Sequence, residues 1–234
     1  EGGVRVPTLV RWPGQIPANR VIESPSIAYD WMATFTDMAG LPAPAVSDGV
    51  SLLSSLTGKE NQTPSNIYVE YYEGGKTPNF SDFSLKHQGR LRNQMQMVRL
   101  DDFVGVRYDI HSADDDFEIY NVVKDPQETD NLSCNPEMKS LQQQMKDKVL
   151  QSRRPNITAP RPYDNALIPA VPNVKTKPGV TWKFYNGDFP WVPNTQALVP
   201  VKSGVTDNPE SIVSEIGDHS AACFEGYFRI PADG

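Results

Sequence analysis

Chemistry in this chain would have to come from a short list of side chains. Three consecutive aspartates, Asp114-Asp115-Asp116, and the pair Asp101-Asp102 concentrate carboxylates, but a calcium loop needs ligands at alternating positions and usually a glycine for its turn. Both clusters read as solvated charge in hairpin turns, with no metal assigned to them. Cys134 and Cys223 lie far apart and match no metal-ligand spacing, which leaves two buried thiols or one disulfide bridge. The polar stretch from Glu73 to Arg92 is different. It gathers Lys86, His87, Arg90 and Arg92 behind Gly74-Gly75 and Thr77-Pro78, with Glu70 just before it, and it is long enough to be functional rather than a mere connection. His111 and His219 are the other histidines.

The elements that would position these residues follow from hydrophobic period and punctuation. Residues 4–12 are β-branched and apolar and read as a strand, with Pro7 placing it at an edge. From Ser26 to Ala39 apolar residues recur at helical spacing, with Ser24 or Ser26 as N-cap and Gly40 just past the end. Strands are expected at 67–72, 95–100, 103–109 and 117–123, the middle pair joined by a tight Asp101-Asp102 hairpin. Asn135-Pro136 should then open a helix whose stripe of Met138, Leu141, Met145 and Val149 runs to about Arg153. A small antiparallel sheet with one helix packed across it is the economical arrangement.

Six prolines between Arg154 and Pro178 exclude a helix or central strand there and predict an extended surface linker. Beyond it, 181–185 and 223–230 alternate like strands, and the Pro231-Ala232-Asp233-Gly234 end looks like a turn whose return strand is missing. The last domain is therefore expected to be truncated, and a start without Met suits a trimmed chain. With 38% hydrophobic residues there is material for a core, and no run approaches the ~18 apolar residues of a membrane helix. The net charge of −7 and the scattered Lys and Arg argue against a nucleic-acid partner.

Several ordered strings resemble the formylglycine-dependent sulfatases of the alkaline phosphatase superfamily. Glu1-Gly2-Gly3-Val4-Arg5-Val6-Pro7, followed by Trp12-Pro13-Gly14, is similar to the segment that ends their large α/β domain. Asp30 to Thr34 resembles a helix that usually reads D-x-x-P-T, with Ala33 in the proline's place, and Asp48-Gly49-Val50-Ser51-Leu52 resembles D-G-x-S-L. Glu118-Ile119-Tyr120-Asn121-Val122 and the stretch from Asp125 to Leu132 look like E-L-Y-[DN]-L and D-P-x-E-x-x-N-L. The resemblance covers roughly residues 1–150. Residues 180–234 resemble the first half of a protective-antigen-type β-sandwich, with Trp191 and Tyr185 read as core packing ahead of a sugar platform.

The resemblance implies an α/β (α+β) chain divided as follows: 1–60, the end of the large domain; 61–154, a four-stranded antiparallel sheet with its C-terminal helix; 155–179, the linker; 180–234, a partial β-sandwich. It implies a parent enzyme hydrolysing sulfate esters of a glycan, or an aryl sulfate, using calcium and formylglycine, exported to a periplasm or beyond. The catalytic parts precede Glu1 in the family's order, so no catalytic or metal-binding residue is expected in this chain, which alone should be inactive. Cys134-Asn135-Pro136 begins like the modification pattern C/S-x-P-x-R but has Met138 where arginine is required. What remains is scaffold and substrate rim, where Lys86, His87, Arg90 and Arg92 would meet an anionic saccharide through charge-assisted hydrogen bonds and Glu70 would accept from sugar hydroxyls. A non-catalytic carbohydrate-binding or assembly module, or another hydrolase of the superfamily, are the competing readings.

Overall fold

The structure, a computed structural model, describes residues 3–230 apart from 45, 60, 61, 172, 173, 191, 194, 196, 197, 215, 216 and 229. Trp191 and the 231–234 turn thus lie outside the described residues. Two compact units emerge, one built of 66–170 with the residues up to Val10, the other of 11–65 and the residues from Val171 onward.

In the first unit β1 (Tyr68–Lys76), β2 (Leu91–Leu100), β3 (Phe103–Arg107) and β4 (Glu118–Asn121) form one antiparallel sheet in sequence order. Asp101 takes the left-handed backbone that the tight β2–β3 turn needs. Helix α3 (Lys139–Ser152) lays Met145 and Val149 on Val98, Phe117 and Ile119, with Met138 and Leu141 at the margin. The anticipated stripe is therefore the one buried, and each such side chain contributes ~1.5–3 kcal/mol. Gly105 marks the closest approach, since a Cβ there would stand 2.5 Å from Met145 Sδ. One 3₁₀ turn (Pro136–Met138) intervenes between Asn135 and α3, and Asn135 makes no side-chain cap bond. Asn131 caps a separate, preceding 3₁₀ turn (Leu132–Cys134), its side chain accepting from the Ser133 and Ile119 amides at 3.0 Å each.

The prolines of 154–170 do exclude helix and strand, yet the segment is tied down. Tyr163 is 1% exposed and packs with Ile110 and Leu150. Its hydroxyl accepts from Gln94 Nε2 at 2.8 Å and donates to Glu70 Oε2 at 3.0 Å. Arg161 pairs with Glu70 and Asp164, and buried Arg153 donates to the carbonyls of Leu150, Asp164 and Ala166. The compact unit continues to Ala170, fifteen residues past the anticipated start of the linker at 155, and buried aromatic and ionic anchors hold the segment despite its prolines.

Residues 4–12 are not a strand. Val6 and Leu9 are exposed, and no described strand pairs with the run; β-propensity without a ladder partner makes no sheet.

In the second unit, α1 (Asp30–Met38) begins later than the apolar spacing suggested, and neither Ser24 nor Ser26 caps it. No side chain caps it; Asp30 in its first turn ties the flanking segments together instead. Its fully buried carboxylate accepts from the amides of Ile27 (2.9 Å) and Val50 (3.0 Å) and from the Ser65 hydroxyl. Thr34 Oγ1 takes the Leu52 amide at 3.0 Å, so the Asp30–Thr34 and Asp48–Leu52 strings are two halves of one cross-link. At the other end Gly40 (φ 72°) closes a Schellman motif through Leu41 N–H to Thr36 O and Gly40 N–H to Asp37 O. The short helix α2 (Leu53–Thr57) follows. Further on, β5 (Val180–Asn186) is flanked by β6 (Lys202–Thr206) and β7 (Ser220–Glu225) in an antiparallel sheet of order β6-β5-β7, with α4 (Pro209–Val213) between the last two strands. Strand β6 carries Gly204 and little apolar pattern, which hid it in the sequence.

Candidate functional site

The sheet of the first unit has a second face. Because side chains alternate, the residues not packed under α3 form a row across all four strands, Val69, Met97, Val106 and Glu118, in register with one another. Together with Met95, Tyr71, Tyr108 and Tyr120 they floor a cavity of about 740 Å³, whose rim is the β1–β2 connection with Asp82, Phe83, Lys86, His87 and Arg90, and the β4–α3 connection with Glu128.

The connection is shorter than the polar stretch suggested, because β1 and β2 continue to Lys76 and from Leu91. Backbone pairing persists there through a bulge between Glu73 and Lys76, with Gly75 at positive φ. The remaining residues, 77–90, are braced from within. Thr77 Oγ1 donates to the His87 carbonyl and accepts the Arg90 amide at 2.9 Å; Gln88 Nε2 donates to the carbonyls of Phe80 (3.0 Å) and Phe83 (2.8 Å). These bonds fix where Lys86, His87 and Arg90 emerge.

The three do not carry equal charge into the cavity. Arg90 lies 4.0 Å over the Tyr108 ring, and its Nη1 meets Glu118 Oε1 at 2.9 Å. The second Glu118 oxygen accepts the Tyr120 hydroxyl at 2.8 Å. Lys86 Nζ stands 3.5 Å from the Tyr120 oxygen and 5.4 Å from its ring centroid. Burial, and then the bond to Glu118, pushes the Tyr120 hydroxyl well above the usual phenol range. Burial, and then the neighbouring Lys86 charge, lowers the His87 pKa, so its imidazole is neutral at pH 7.

Arg92 and Glu70 are not among the lining residues. Arg92 Nη2 pairs with Glu73 at 3.3 Å, and Tyr71 donates to the same carboxylate at 2.7 Å. Glu70 is engaged on the α3 side of the sheet by Tyr68 (2.5 Å), Tyr163 and Arg161. Arg107, by contrast, does line the cavity, although it is only 2% exposed: it donates to Gln96 and to the carbonyls of Ala113 and Asp115 and stacks 4.5 Å over Phe117. His111 sits near Asp109, and His219 bonds to Asp188; neither reaches the cavity. The sequence reading passed over Tyr108, Glu118 and Tyr120 as site residues, although the alternation of Glu118-Ile119-Tyr120 was the available signal.

Among the described residues no group of three or more His, Cys, Asp or Glu is placed to hold a metal ion. Both cysteines are free thiols, Cys134 exposed and Cys223 half-buried. Calcium, which the family resemblance brings with it, therefore finds no fitting donor set among the described residues. No described helix is long and apolar enough to cross a membrane.

A sheet closed by a helix on one side and open on the other to a polar-rimmed cavity defines a small α+β subdomain. Residues 1–155 match the family "N-sulphoglucosamine sulphohydrolase, C-terminal", and the chain belongs to that family, the C-terminal region of sulfatases. It is 38% identical over 73 residues to human arylsulfatase D (30% of this chain, 12% of that protein) and 28% identical over 145 residues to an N-acetylglucosamine-6-O-sulfatase of Bacteroides thetaiotaomicron (60% and 23%). A sulfatase of Formosa agariphila is 32% identical over 150 residues (60% and 25%). Among solved structures, one in complex with its substrate D-glucosamine-2-N,6-O-disulfate shares 23% identity, with a TM-score of 0.40 over 61% of this chain and 26% of its own. The chain spans about a quarter or less of each of these proteins' length.

Proposed function

We propose that the whole protein hydrolyses sulfate esters of a glycan, and that this chain supplies scaffold and part of the substrate rim, without the catalytic centre. The observation that carries the rim is the convergence of Lys86, His87 and Arg90 on one aromatic-walled cavity. A cation and an imidazole on a braced loop meet a sulfate by charge-assisted and neutral hydrogen bonds, while Tyr71, Tyr108 and Tyr120 offer ring faces to the body of the ester. Relatives that act on sulfated amino sugars support the saccharide, and the aryl relative keeps aryl sulfates within range. Arg92, through Glu73, and Glu70, through Tyr163, would serve the rim from behind by holding β1 and β2. We further propose that β5, β6 and β7 open a protective-antigen-type β-sandwich, a reading supported by their antiparallel pairing.

The test is sulfate release from a sulfated hexosamine by the whole protein, with His87→Ala beside the wild type. Release is expected, with KM raised several-fold and kcat little changed; absence of release, or an unchanged KM, would remove the reading. Formylglycine and calcium would be found in the whole enzyme, outside these residues.

A further inference from the structure

We propose that Glu118 is a positioning residue of the rim: by taking Arg90 on one carboxylate oxygen and Tyr120 on the other, it sets where the 77–90 connection presents Lys86 and His87 to substrate. This rests on the reading of the cavity as substrate rim and names a residue on which that rim depends.

The 77–90 connection joins β1 to β2, yet its side-chain tethers end on β4, at the far edge of the sheet. Its own backbone bonds close its base, with Thr77 N–H donating to the Arg90 carbonyl at 2.8 Å and Gly89 N–H to the Thr77 carbonyl at 3.1 Å. Those bonds fix the shape of the loop but not its tilt over the cavity. Two side chains set the tilt. Arg90 Nη1 reaches Glu118 Oε1 at 2.9 Å, and Lys86 Nζ reaches the Tyr120 oxygen at 3.5 Å. Tyr120 in turn donates its proton to Glu118 Oε2 at 2.8 Å. Both tethers therefore end on one carboxylate, one directly and one through the phenol.

This geometry dictates the residue type. Two donors converge on two oxygens, and an ionised carboxylate, which only accepts, meets both; an amide has one acceptor oxygen and must turn an N–H toward the other donor. Arg90 passes its position on to the rim. Its backbone amide donates to Thr77 Oγ1 at 2.9 Å, and the same hydroxyl donates to the His87 carbonyl, so a displaced Arg90 carries Thr77 and His87 with it. Glu118 has no such freedom, because it sits opposite Val106 in the β3–β4 ladder and its neighbour Ile119 is fully buried. The loop thus takes its place from the strand, and Glu118 is the link between them.

Steady-state kinetics of the whole protein on N-acetylglucosamine 6-sulfate, with amide hydrogen exchange beside them, test this. Glu118→Gln is expected to raise KM about threefold, the scale of a partly exposed ion pair, with kcat little changed. Exchange should quicken by a similar factor at Thr77 and Gly89 and stay as in the wild type at Ile119, whose amide Asn131 holds. A substitution that merely loosened the sheet would instead speed Ile119. Arg90→Gln should raise KM likewise, and the double variant should be no worse than Glu118→Gln alone, as two residues acting through one contact require. An unchanged KM, unchanged loop exchange or additive losses each overturn the positioning role, while the rim reading stands on His87→Ala. Absence of sulfate release by the wild type, or an unchanged KM in His87→Ala, overturns the rim reading and the inference with it.

Discussion

Truncating Tyr163 is the sharpest test of the fold, because this residue lies outside the 1–155 family match yet is among the most buried side chains of the sheet unit. Tyr163→Ala deletes an aromatic ring packed on Ile110 and Leu150, a loss of about 3–5 kcal/mol in comparable cores. It also strands Gln94 and one bond to Glu70, and an unmet buried polar group adds roughly 1–3 kcal/mol. Against a typical stability of ~5–15 kcal/mol the unit should be partly unfolded at 37 °C. Tyr163→Phe keeps the ring and loses only the two hydroxyl bonds, so about 1–2 kcal/mol is expected. Tryptophan fluorescence is blind here, since Trp12, Trp31, Trp182 and Trp191 all lie outside 66–170. Amide hydrogen exchange across β1 and β2, where Glu70 and Gln94 sit, supplies the local readout, with a far-UV circular dichroism urea titration beside it. A loss below about 0.5 kcal/mol for Tyr163→Ala, the ordinary cost of a surface change, would mean that 154–170 is a loose linker after all.

Gly105→Ala should cost about 1–3 kcal/mol, since the new methyl meets Met145 Sδ at 2.5 Å and Phe117 at 3.1 Å; a urea midpoint unchanged from wild type would refute the close approach of α3. Asp30→Ala should cost several kcal/mol by orphaning the Ile27 and Val50 amides, and Trp31 beside it reports by fluorescence. The pKa of His87 is depressed by burial and then by Lys86, so the ring gains its proton only below the usual value of about 6.5. On the proposed rim reading, sulfate-ester binding by the whole protein should therefore tighten as pH falls from 7 to 5, and a His87→Gln variant that kept the same pH profile would exclude His87 as the source.

The α3 stripe was legible because Met138, Leu141, Met145 and Val149 keep one period over one continuous helix, and the β2–β3 hairpin because Asp101-Asp102 punctuates it. The strand expected at 4–12 was not formed, since a strand is a property of a pair and the run has no described partner. Proline density hid the docking of 154–170, whose anchors, Arg153, Arg161 and Tyr163, are scattered and pair with residues up to 93 positions away. Lys86, His87 and Arg90 could be picked out by type and clustering. That Arg90 is neutralised by Glu118 could not, because the pairing crosses from a loop to the far edge of the sheet.

That crossing depends on a single register. Side chains along β4 alternate, so a one-residue slip against β3 would turn Glu118 and Tyr120 under α3 and aim Ile119 at the cavity. Ile119 forbids the slip. It is fully buried against Val98, Phe117 and Met145, and bringing it out would forfeit about 1.5–3 kcal/mol while forcing a carboxylate into that core. The Asn131 side chain, which accepts the Ile119 amide, pins the same residue from the following turn. The apolar residue in the middle of Glu118-Ile119-Tyr120 thus fixes which way its two polar neighbours face. Glu118 is held where it can neutralise Arg90, and Tyr120 where it can carry Lys86. The core side of the strand sets the charge of the cavity on the other.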